Sequence, residues 1–559
     1  MKRRRITLSL MAAIACFGSA AAVAAPPSSL PHLERRGVAT QLIVDEKPFL
    51  ILGGETHNSS FSSADYMRPI WPKLAAMNLN TALVPVAWEH LEPQEGRYDF
   101  TIVDDLIKGA RAHKLRLVLL WFGSWKNTYS SYAPAWVKRD GARFPRVETS
   151  DGHGTERLSP FSTAVRDADA RAFAQLMRHL RAVDGQQQTV LLVQVENEVG
   201  VIPQSRDHSA VAEAAFAGPV PDMLMRALVE RRTRLNPELR AAWEAAGGRT
   251  AGNWQQVFGD GSLTDHLFMS WYYATFVERV TAAGKAEYAL PMFTNAALIR
   301  PNYEPGQYNS GGPLPQSMDL WKVAAPSLDF LSPDIYFDAF VSWAKAYTRP
   351  DNPLFIPEAR GGKGGAANAL YAFGAHQALG FSPFGIDGVA GEGDREGNGR
   401  GEGGLDDAIG NVYGQLGKLA PLILEKQASG AIRGVVMEGE PQRAARVRIG
   451  DYIANMTRAP SADGSVDPAS RVGALFLQTG PDEYLILGSG DSVLTFTSDR
   501  PGPPMVGIES IDEQVLQAAG QVAGRRLNGD ENGQGQVLRL QSGDAARGIV
   551  YRVRLYRYR

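Results

Sequence analysis

Apolar and polar positions follow two different patterns along this chain. From about residue 38 to residue 425, short apolar runs alternate with stretches of helical periodicity; from residue 431 onward, short alternating runs are separated by Gly, Pro, Asn and Asp turns. Strands that alternate with helices are typical of parallel sheets, whereas closely spaced short strands are typical of all-β domains. The predicted fold is therefore α/β, with a (β/α)8 TIM barrel followed by a smaller C-terminal all-β, sandwich-like domain.

Eight apolar runs are the predicted barrel strands. Helical stretches lie between them, including residues 66–77, 102–113, 164–183 and 265–283, as a βα repeat requires. In such a barrel the catalytic groups come from the C-terminal ends of the strands. The predicted strands lie within residues 49–53, 80–87, 115–121, 191–200, 290–293, 328–335, 353–360 and 380–384.

The first 25 residues have the pattern of a secretory signal peptide. Residues 1–5 carry four positive charges, residues 6–17 are mostly apolar, and residues 20–25 are small. A lipoprotein signal ending at Cys16 is the alternative, and it fits less well because the small residues continue past Cys16. We therefore expect a secreted protein of the bacterial periplasm, with the barrel at residues 26–428 and the β domain at residues 431–559.

Two connections of the barrel stand out. Residues 201–287 form a long insertion with its own helices, one of which is expected to begin at Asn236-Pro237 and to end at Gly247-Gly248. The insertion is expected either to form a wall of the substrate cleft or to make a contact within a homo-oligomer. Residues 391–404 are rich in glycine and charge and are expected to form a mobile loop.

Composition excludes several classes of function. The single cysteine, Cys16, lies in the leader, so the mature chain has neither disulfides nor a thiol nucleophile. The formal net charge of −2 provides no basic surface for nucleic acid, and no later run is long enough to span a membrane. A neutral carbohydrate fits this balance as the partner, and we expect neither a metal nor a cofactor.

Two predicted strands deliver carboxylates to the catalytic face. Residues 191–195 are apolar and run into Glu196-Asn197-Glu198, and Pro357 is followed by Glu358. Two carboxylates on opposite strand ends are the groups that retaining glycoside hydrolysis uses as acid/base and nucleophile. Strand alternation places Glu196 and Glu198 on the same side, so their spacing alone does not distinguish them.

Further polar and aromatic side chains follow the strand ends and are candidates for binding substrate. Each has an alternative: the tryptophans belong to the core if they are buried, the histidine hydrogen-bonds within the cleft rather than binding a metal, and the arginine could form a salt bridge with Glu358. The candidates are His57, Trp88, Trp125, Asn127, Glu196, Asn197, Asn295, Tyr336 and Arg360.

Three motifs resemble glycoside hydrolase family 35, the β-galactosidases of the large retaining barrel clan. They are Trp-Glu-His-Leu-Glu-Pro-Gln-Glu-Gly-Arg-Tyr-Asp-Phe at residues 88–100, Tyr-Ala-Pro-Ala-Trp at 132–136 and Gln-Val-Glu-Asn-Glu-Val-Gly at 194–200. The resemblance implies that Glu198 is the acid/base, that Asn197 holds the sugar 2-hydroxyl and that Glu358 is the nucleophile. It also implies that Tyr336 hydrogen-bonds the nucleophile.

The function that the resemblance implies is that of a secreted retaining exo-β-galactosidase. The chain departs from the family at Pro85 and Glu89, where many members have tyrosine and asparagine, and in the last strand. Another β-glycosidase of the same clan, acting on mannosides, glucosides or arabinosides, therefore remains an alternative. A barrel that binds carbohydrate without cleaving it is the alternative from a different class.

Overall fold

A short antiparallel sheet precedes the barrel strands. The computed structural model describes residues 29–303, 306–388, 406–439, 442–460, 465–467, 469–516 and 522–559, so the predicted signal peptide and the glycine-rich loop at 391–404 lie outside the described residues. The sheet consists of β1 (His32–Arg36), β2 (Ala39–Val44) and β3 (Lys47–Phe49). Its inner residues Leu42 and Val44 pack into the same core as the barrel interior, so this sheet covers the barrel at the N-terminal ends of the strands.

Eight parallel strands form the barrel, in agreement with the predicted fold. The hydrogen-bonded order is β11-β10-β9-β6-β5-β4-β13-β12, and the bond from Ile335 N to Glu358 O (2.9 Å) joins the two outer strands. The strands, with the hairpin β7–β8 between β6 and β9, are β4 (Ile51–Glu55), β5 (Thr81–Ala87), β6 (Arg116–Lys126), β7 (Arg146–Glu148), β8 (Gly154–Leu158), β9 (Val190–Asn197), β10 (Met292–Ala297), β11 (Phe330–Asp334), β12 (Phe355–Ala359) and β13 (Gly380–Pro383).

Large apolar side chains fill the barrel interior. Val118, Phe293, Phe330 and Phe355 form one buried cluster there, and the rings of Phe293 and Phe330 stack at 5.1 Å. Because these strands are covered on both faces, they read as nearly continuous apolar runs in the sequence. The interior is a packed core, so the polar side chains collect at the C-terminal rim.

Helices surround the barrel, and none of those described is long and apolar enough to cross a bilayer. Asn236 caps α9 with its side chain and Pro237 begins that helix, as the sequence predicts. The helices of the barrel region are α1 (Ala64–Met67), α2 (Ile70–Ala76), α3 (Trp88–Leu91), α4 (Thr101–Ala112), α5 (Ala135–Arg139), α6 (Thr163–Asp184), α7 (Ala210–Ala217), α8 (Asp222–Arg231), α9 (Pro237–Ala245), α10 (Trp254–Phe258), α11 (Ser262–Glu287), α12 (Met318–Ala324), α13 (Phe340–Tyr347), α14 (Gly362–Ala375) and α15 (Asp407–Ser429).

The C-terminal part is a sandwich of two antiparallel sheets with a short helix, α16 (Asp544–Arg547). The six-stranded sheet has the order β14-β17-β18-β23-β20-β21 and the four-stranded sheet the order β15-β16-β19-β22. The outer face of the six-stranded sheet packs on α14 and α15 of the barrel. The strands are β14 (Ile432–Met437), β15 (Ala445–Ile449), β16 (Tyr452–Arg458), β17 (Val472–Gln478), β18 (Glu483–Ser489), β19 (Ser492–Thr497), β20 (Met505–Leu516), β21 (Val522–Leu527), β22 (Leu538–Leu540) and β23 (Ile549–Tyr558).

Candidate active site

Glu358 is held at the end of β12 by donors from three other strand ends. The Tyr336 hydroxyl donates to its Oε2 (2.7 Å), and the side-chain amides of Asn197 and Asn295 donate to its Oε1 (3.1 and 3.4 Å). The pairing of β12 with β13 is irregular between Ile356 and Ala359, and such irregularities often re-aim a side chain beside an active site. The carboxylate is therefore fixed in orientation before any substrate arrives.

Glu198 lies opposite Glu358, just beyond the end of β9. One carboxylate oxygen each from Glu198, Glu358 and Asp334 lie within 4.8 Å of one another. Burial and the neighbouring charge of Glu358 raise the pKa of Glu198 to about 7. A carboxyl group in this setting holds a proton near neutral pH and can donate it.

Glu196 does not share that side, contrary to the expectation from strand alternation. Glu196 (φ 61°) and Glu198 (φ 45°) both have left-handed backbones, which interrupts the two-residue period. The Glu196 carboxylate is buried and accepts from the backbone of Ser124 (3.1 Å) and Trp125 (2.7 Å). The prediction that Glu196 binds substrate is therefore wrong: it ties β9 to β6. Burial and neighbouring Asp169 raise its pKa well above the ordinary value.

Asn295 joins the carboxylates to one another. It accepts from the backbone of Glu198 (2.9 Å) and donates to Asp334 Oδ2 (2.6 Å), so its side chain is engaged by protein partners. Asp334, at the end of β11, is a member of the site that the sequence interpretation did not name. Burial, then the charges of Glu358 and Glu198, raise its pKa well above the ordinary value.

Two further charged residues of the site, Lys126 and Glu55, lie at strand ends recognised in the sequence but were not among the predicted site residues. The buried ammonium of Lys126, at the end of β6, lies 3.8 Å from Glu358 Oε1. Burial works against its charge, but the surrounding carboxylates outweigh burial and raise its pKa. The carboxyl group of Glu55, at the end of β4, is fully buried, and neither oxygen has a hydrogen-bond partner among the described residues. The signal that could have identified them is position, because each is the charged residue at a strand end.

Trp88 and Trp125 belong to the core, which corrects their prediction as sugar-stacking residues. Both are fully buried. The Trp88 indole donates to Glu92 (2.8 Å), and the Trp125 indole donates to the backbone of Leu158 (3.0 Å) and packs edge-on against Phe276. Trp88 begins α3 and packs edge-on against Trp136 of α5, and Trp125, at the end of β6, also packs against Tyr273 of α11, so both indoles contact helices.

The remaining candidates lie at the rim. His57 bonds Asp387 through its ring (2.6 Å), and Arg360 is exposed. The cation that lies against Glu358 is Lys126, whereas the sequence interpretation had considered Arg360. Asn127 is exposed and, with Lys126, lines a groove of about 820 Å³ that leads away from the carboxylates. A separate cavity of about 330 Å³ lies on the outside of the barrel between α1, α2 and α4 and contains none of these groups.

The three clustered acids could in principle supply ligands to a cation. Glu198, Asp334 and Glu358 meet the distance requirement, but a lysine ammonium already faces Glu358, and acidic oxygen clusters without histidine are a weak indication of a transition metal. The electrostatic arrangement is one buried cation among acids, of which Glu198, Asp334 and Glu55 have raised pKa values. That arrangement is characteristic of acid/base chemistry.

Comparison with known proteins links the barrel to glycoside hydrolases. The model of glycoside hydrolase family 42, described as Beta-galactosidase, matches residues 67–354, and a model described as a domain of unknown function (DUF5597) matches residues 409–539. The β-galactosidase of Xanthomonas manihotis is 31% identical over 199 residues, which is 34% of this chain. The matched region spans only 30% of the length of that relative.

Solved structures of β-galactosidases overlap the chain at low sequence identity. The enzyme of Bacillus circulans sp. alkalophilus aligns over 90% of this chain and 99% of its own, with 12% identity and a TM-score of 0.48. The enzyme of the psychrophilic Marinomonas ef1 aligns over 67% of this chain and 61% of its own, with 14% identity and a TM-score of 0.45.

Proposed function

This chain belongs to glycoside hydrolase family 42, the family described as Beta-galactosidase, and we propose a specific reaction for it. It removes terminal β-galactosyl residues from oligosaccharides or glycans by a retaining double displacement, with Glu198 as acid/base and Glu358 as nucleophile. The observation that carries the proposal is the short separation of the two carboxylates, whose oxygens lie within 4.8 Å. Retaining enzymes hold these groups about 5 to 5.5 Å apart, whereas inverting enzymes need about 6.5 to 9.5 Å for an intervening water.

The surroundings of the two acids support their different roles. Glu358 faces the Lys126 ammonium and accepts from Tyr336 and Asn197, all of which stabilise a negative charge on it. Glu198 has a pKa raised to about 7 by burial and by the charge of Glu358, so it can hold a proton near neutral pH. A carboxyl group with a raised pKa beside a carboxylate held by a cation and hydrogen bonds suits the acid and nucleophile roles. The resemblance of residues 194–200 to family 35 supports the same assignment, although the family model that matches the chain is that of family 42.

The proposed reaction has two steps. Glu198 donates its proton to the glycosidic oxygen while Glu358 attacks the anomeric carbon, which releases the leaving alcohol and leaves the sugar bound to Glu358 as an ester. Glu198, now ionised, takes a proton from water as the water oxygen attacks the anomeric carbon and the ester bond breaks. The sugar leaves with its original anomeric configuration, and both glutamates return to their starting states.

Aryl glycosides test the glycon and the chemistry together. The wild type should cleave the β-galactoside fastest in a panel that also contains mannoside, glucoside and arabinoside, and nuclear magnetic resonance should detect the β-anomer first. Faster cleavage of another glycoside would show that its sugar, and not galactose, is the preferred glycon. No cleavage of any member would favour a barrel that only binds carbohydrate.

Substitution of the three glutamates tests the residue assignment. Glu358→Ala should abolish turnover, with azide giving partial rescue and an inverted product. Glu198→Ala should retain the first step on a dinitrophenyl galactoside but lose activity on poor leaving groups, and azide should give a product of retained configuration. Glu196→Gln is the control, because its loss should affect stability rather than leaving-group dependence. The opposite result for Glu196 and Glu198 would refute the acid/base assignment.

A chelator should leave turnover intact. The positive charge beside Glu358 comes from Lys126, so the proposed steps need no metal ion. Activity in EDTA is the measurement, and a complete loss that only added metal restores would refute this part of the proposal.

We also propose that the enzyme acts outside the cytoplasm, in a bacterial periplasm. The support is the leader pattern at residues 1–25. Sequencing the N-terminus of the protein from the periplasmic fraction should show cleavage after Ala24 or Ala25. Recovery of the uncleaved chain from the cytoplasm would contradict this.

A further inference from the structure

A groove of about 820 Å³ begins at the site and runs over the loop that follows β6. Its lining includes Lys126 at the catalytic end and Tyr129, Lys138 and Arg146 farther out. Lys126 belongs to both the groove and the site, because its Nζ lies 3.8 Å from Glu358 Oε1, so the groove adjoins the reacting carboxylates. Its volume lies within the range of about 300–1,000 Å³ that is usual for small-molecule sites.

The loop that forms the groove is held in a costly conformation. Asn127 (φ 50°) and Thr128 (φ 69°) are both left-handed, and a bridge pairs Lys126 with Tyr129 across this two-residue turn. A β-branched residue such as Thr128 rarely adopts this backbone, and strain of this kind persists only where the surroundings impose it. The consequence of the turn is that Tyr129 is brought back beside Lys126.

A buried arginine supports both the turn and the tyrosine ring. Arg157 is 5% exposed, its Nε donates to Thr128 Oγ1 (3.1 Å), and its guanidinium lies 4.2 Å from the centre of the Tyr129 ring. Tyr129 itself is 47% exposed. The ring is therefore covered on one side by Arg157 and open on the other. A rigid aromatic face that borders a polar groove is suited to stacking on the apolar face of a sugar.

The polar groups of the groove favour a neutral ligand. Lys138 is paired with Glu89 (3.2 Å). Arg146 and the exposed carboxylate of Glu156 both line the groove, so the lining carries charges of both signs. Asn58, also in the lining, has a buried side-chain oxygen to which no group in the described part of the chain donates, and a sugar hydroxyl can satisfy it. Charges of both signs and an unpaired acceptor suit hydroxyl groups better than a carboxylate or sulfate.

We propose that this groove binds the leaving part of the substrate, as one or more neutral sugar units attached to the residue that is cleaved, with the first of them stacked on Tyr129. This inference rests on the proposed function, because it requires that cleavage occurs at the carboxylates. It goes beyond that function by making the enzyme selective for oligosaccharides over galactosides without an extended leaving group. Tyr129 is a specificity residue and takes no part in the chemical steps.

The test compares a substrate that fills the groove with one that leaves it empty. A neutral trisaccharide with a terminal β-galactosyl residue fills it, and β-galactosyl fluoride has no leaving sugar. Tyr129→Ala should lower kcat/KM for the trisaccharide about tenfold, mainly through KM, and should leave kcat/KM for the fluoride unchanged. Tyr129→Phe should retain trisaccharide activity, because stacking needs only the ring. Tyr66→Ala, at a tyrosine of similar exposure (44%) on α1, is the matched control.

Each other outcome overturns the inference. Equal losses on both substrates would place the effect at the catalytic centre, and unchanged trisaccharide kinetics would show that the groove is not used. The wild type could instead prefer a trisaccharide that carries a uronic acid over the neutral one. If Arg146→Gln loses that preference, the groove recognises charge and does not bind a neutral sugar by stacking.

Different measurements distinguish failure of the proposed function from failure of this inference. If the wild type cleaves no galactoside but accepts another aryl glycoside, the same comparison applies to the fluoride and trisaccharide of that sugar. If no glycoside is cleaved, calorimetry should still detect trisaccharide binding to the wild type and a loss of that binding in Tyr129→Ala. Equal binding by both proteins would refute the groove assignment.

Discussion

At the residue scale, the site is organised around a buried lysine. Lys126 lies 3.8 Å from Glu358 Oε1, and Glu198, Glu55 and Asp334 all contribute to the rise of its pKa. Its charge also acts on Glu198, whose pKa it lowers against the larger opposing effects of burial and Glu358. Lys126 thus offsets part of the rise in the pKa of Glu198 that burial and Glu358 cause.

The pH dependence of the wild type should follow from Glu198. Its pKa is raised to about 7, so the proton that the first step requires is present below that pH and is lost above it. The basic limb of kcat/KM, which reports the free enzyme, should therefore lie near pH 7. A limb near the ordinary pKa of a glutamate would contradict the assignment.

Lys126→Met should move that limb to higher pH. Removal of the cation takes away the interaction that lowers the pKa of Glu198, so its proton is held more tightly. The kcat/KM profile on an aryl galactoside is the measurement, alongside Lys108→Met, where the lysine is exposed on α4. An unmoved limb in Lys126→Met would mean that Glu198 does not experience this charge.

Glu55→Gln should weaken glycon binding and leave the fold intact. Both carboxyl oxygens lack a hydrogen-bond partner among the described residues, so sugar hydroxyls can bond them, and kcat/KM should fall about tenfold when such a hydrogen bond is lost. Burial raises the pKa of Glu55 well above its ordinary value, so the folded protein loses stability as pH rises above the unfolded pKa. The Tm of Glu55→Gln at neutral pH should therefore equal or exceed that of the wild type. A lower Tm with unchanged kinetics would indicate a purely structural role.

At the scale of elements, glycines allow α14 to lie directly on the C-terminal sheet. A Cβ on Gly374 would lie 2.6 Å from Gly434 N and 2.6 Å from Leu475 Cδ1, and one on Gly434 would lie 2.9 Å from Tyr371 O. These atoms belong to the backbone or to packed side chains, so they have little freedom to move. Close approach of the helix thus depends on the absence of side chains at both positions.

Gly374→Ala should lower the free energy of unfolding by about 1–3 kcal/mol, because overpacking outweighs the better helix propensity of alanine. Gly364→Ala on the same helix is the control: its nearest neighbour would be 3.8 Å away, so it should be neutral or stabilising by up to about 1 kcal/mol. Urea unfolding measures both, with the midpoint as readout at an unchanged slope. Similar midpoints for the two variants would contradict the close contact.

At the scale of the whole molecule, the outer face of the six-stranded sheet packs into the core of the barrel, and the two sheets enclose a core of their own. Leu475, Leu487 and Val550 of the six-stranded sheet belong to the same buried cluster as Phe373 of α14 and Leu416 of α15. Gln415 of α15 also donates to the backbone of Ile549 (2.6 Å). Removal of the sandwich would expose this apolar surface of the barrel helices to water.

The two parts should therefore unfold together. Calorimetry of the full chain should show a single transition, and a chain that ends at residue 430 should aggregate because its apolar helix faces are uncovered. A chain without residues 1–25 is the control and should retain the transition of the mature protein. Two separated transitions, or a soluble active barrel without the sandwich, would contradict the shared core.

The sequence by itself determined the order of the elements, the barrel strands and the location of the site at the C-terminal ends of those strands. These follow from local rules, because a strand covered on both faces must be apolar and parallel strands place their C-terminal ends on one rim. The positions of Glu198, Glu358, Asn197 and Tyr336 at strand ends were accessible on the same grounds.

Tertiary structure alone decided which strand-end side chains face the centre. Left-handed residues at Glu196 and Glu198 break the alternation, so Glu196 binds the backbone of Ser124 and Trp125 while Glu198 faces Glu358. Trp88 and Trp125 turn to the helices, and Lys126, Glu55 and Asp334 meet from three distant strands. The direction in which a side chain points at a strand end depends on a few backbone angles and on packing against residues from elsewhere in the chain. Neither leaves a periodic signal in the local sequence.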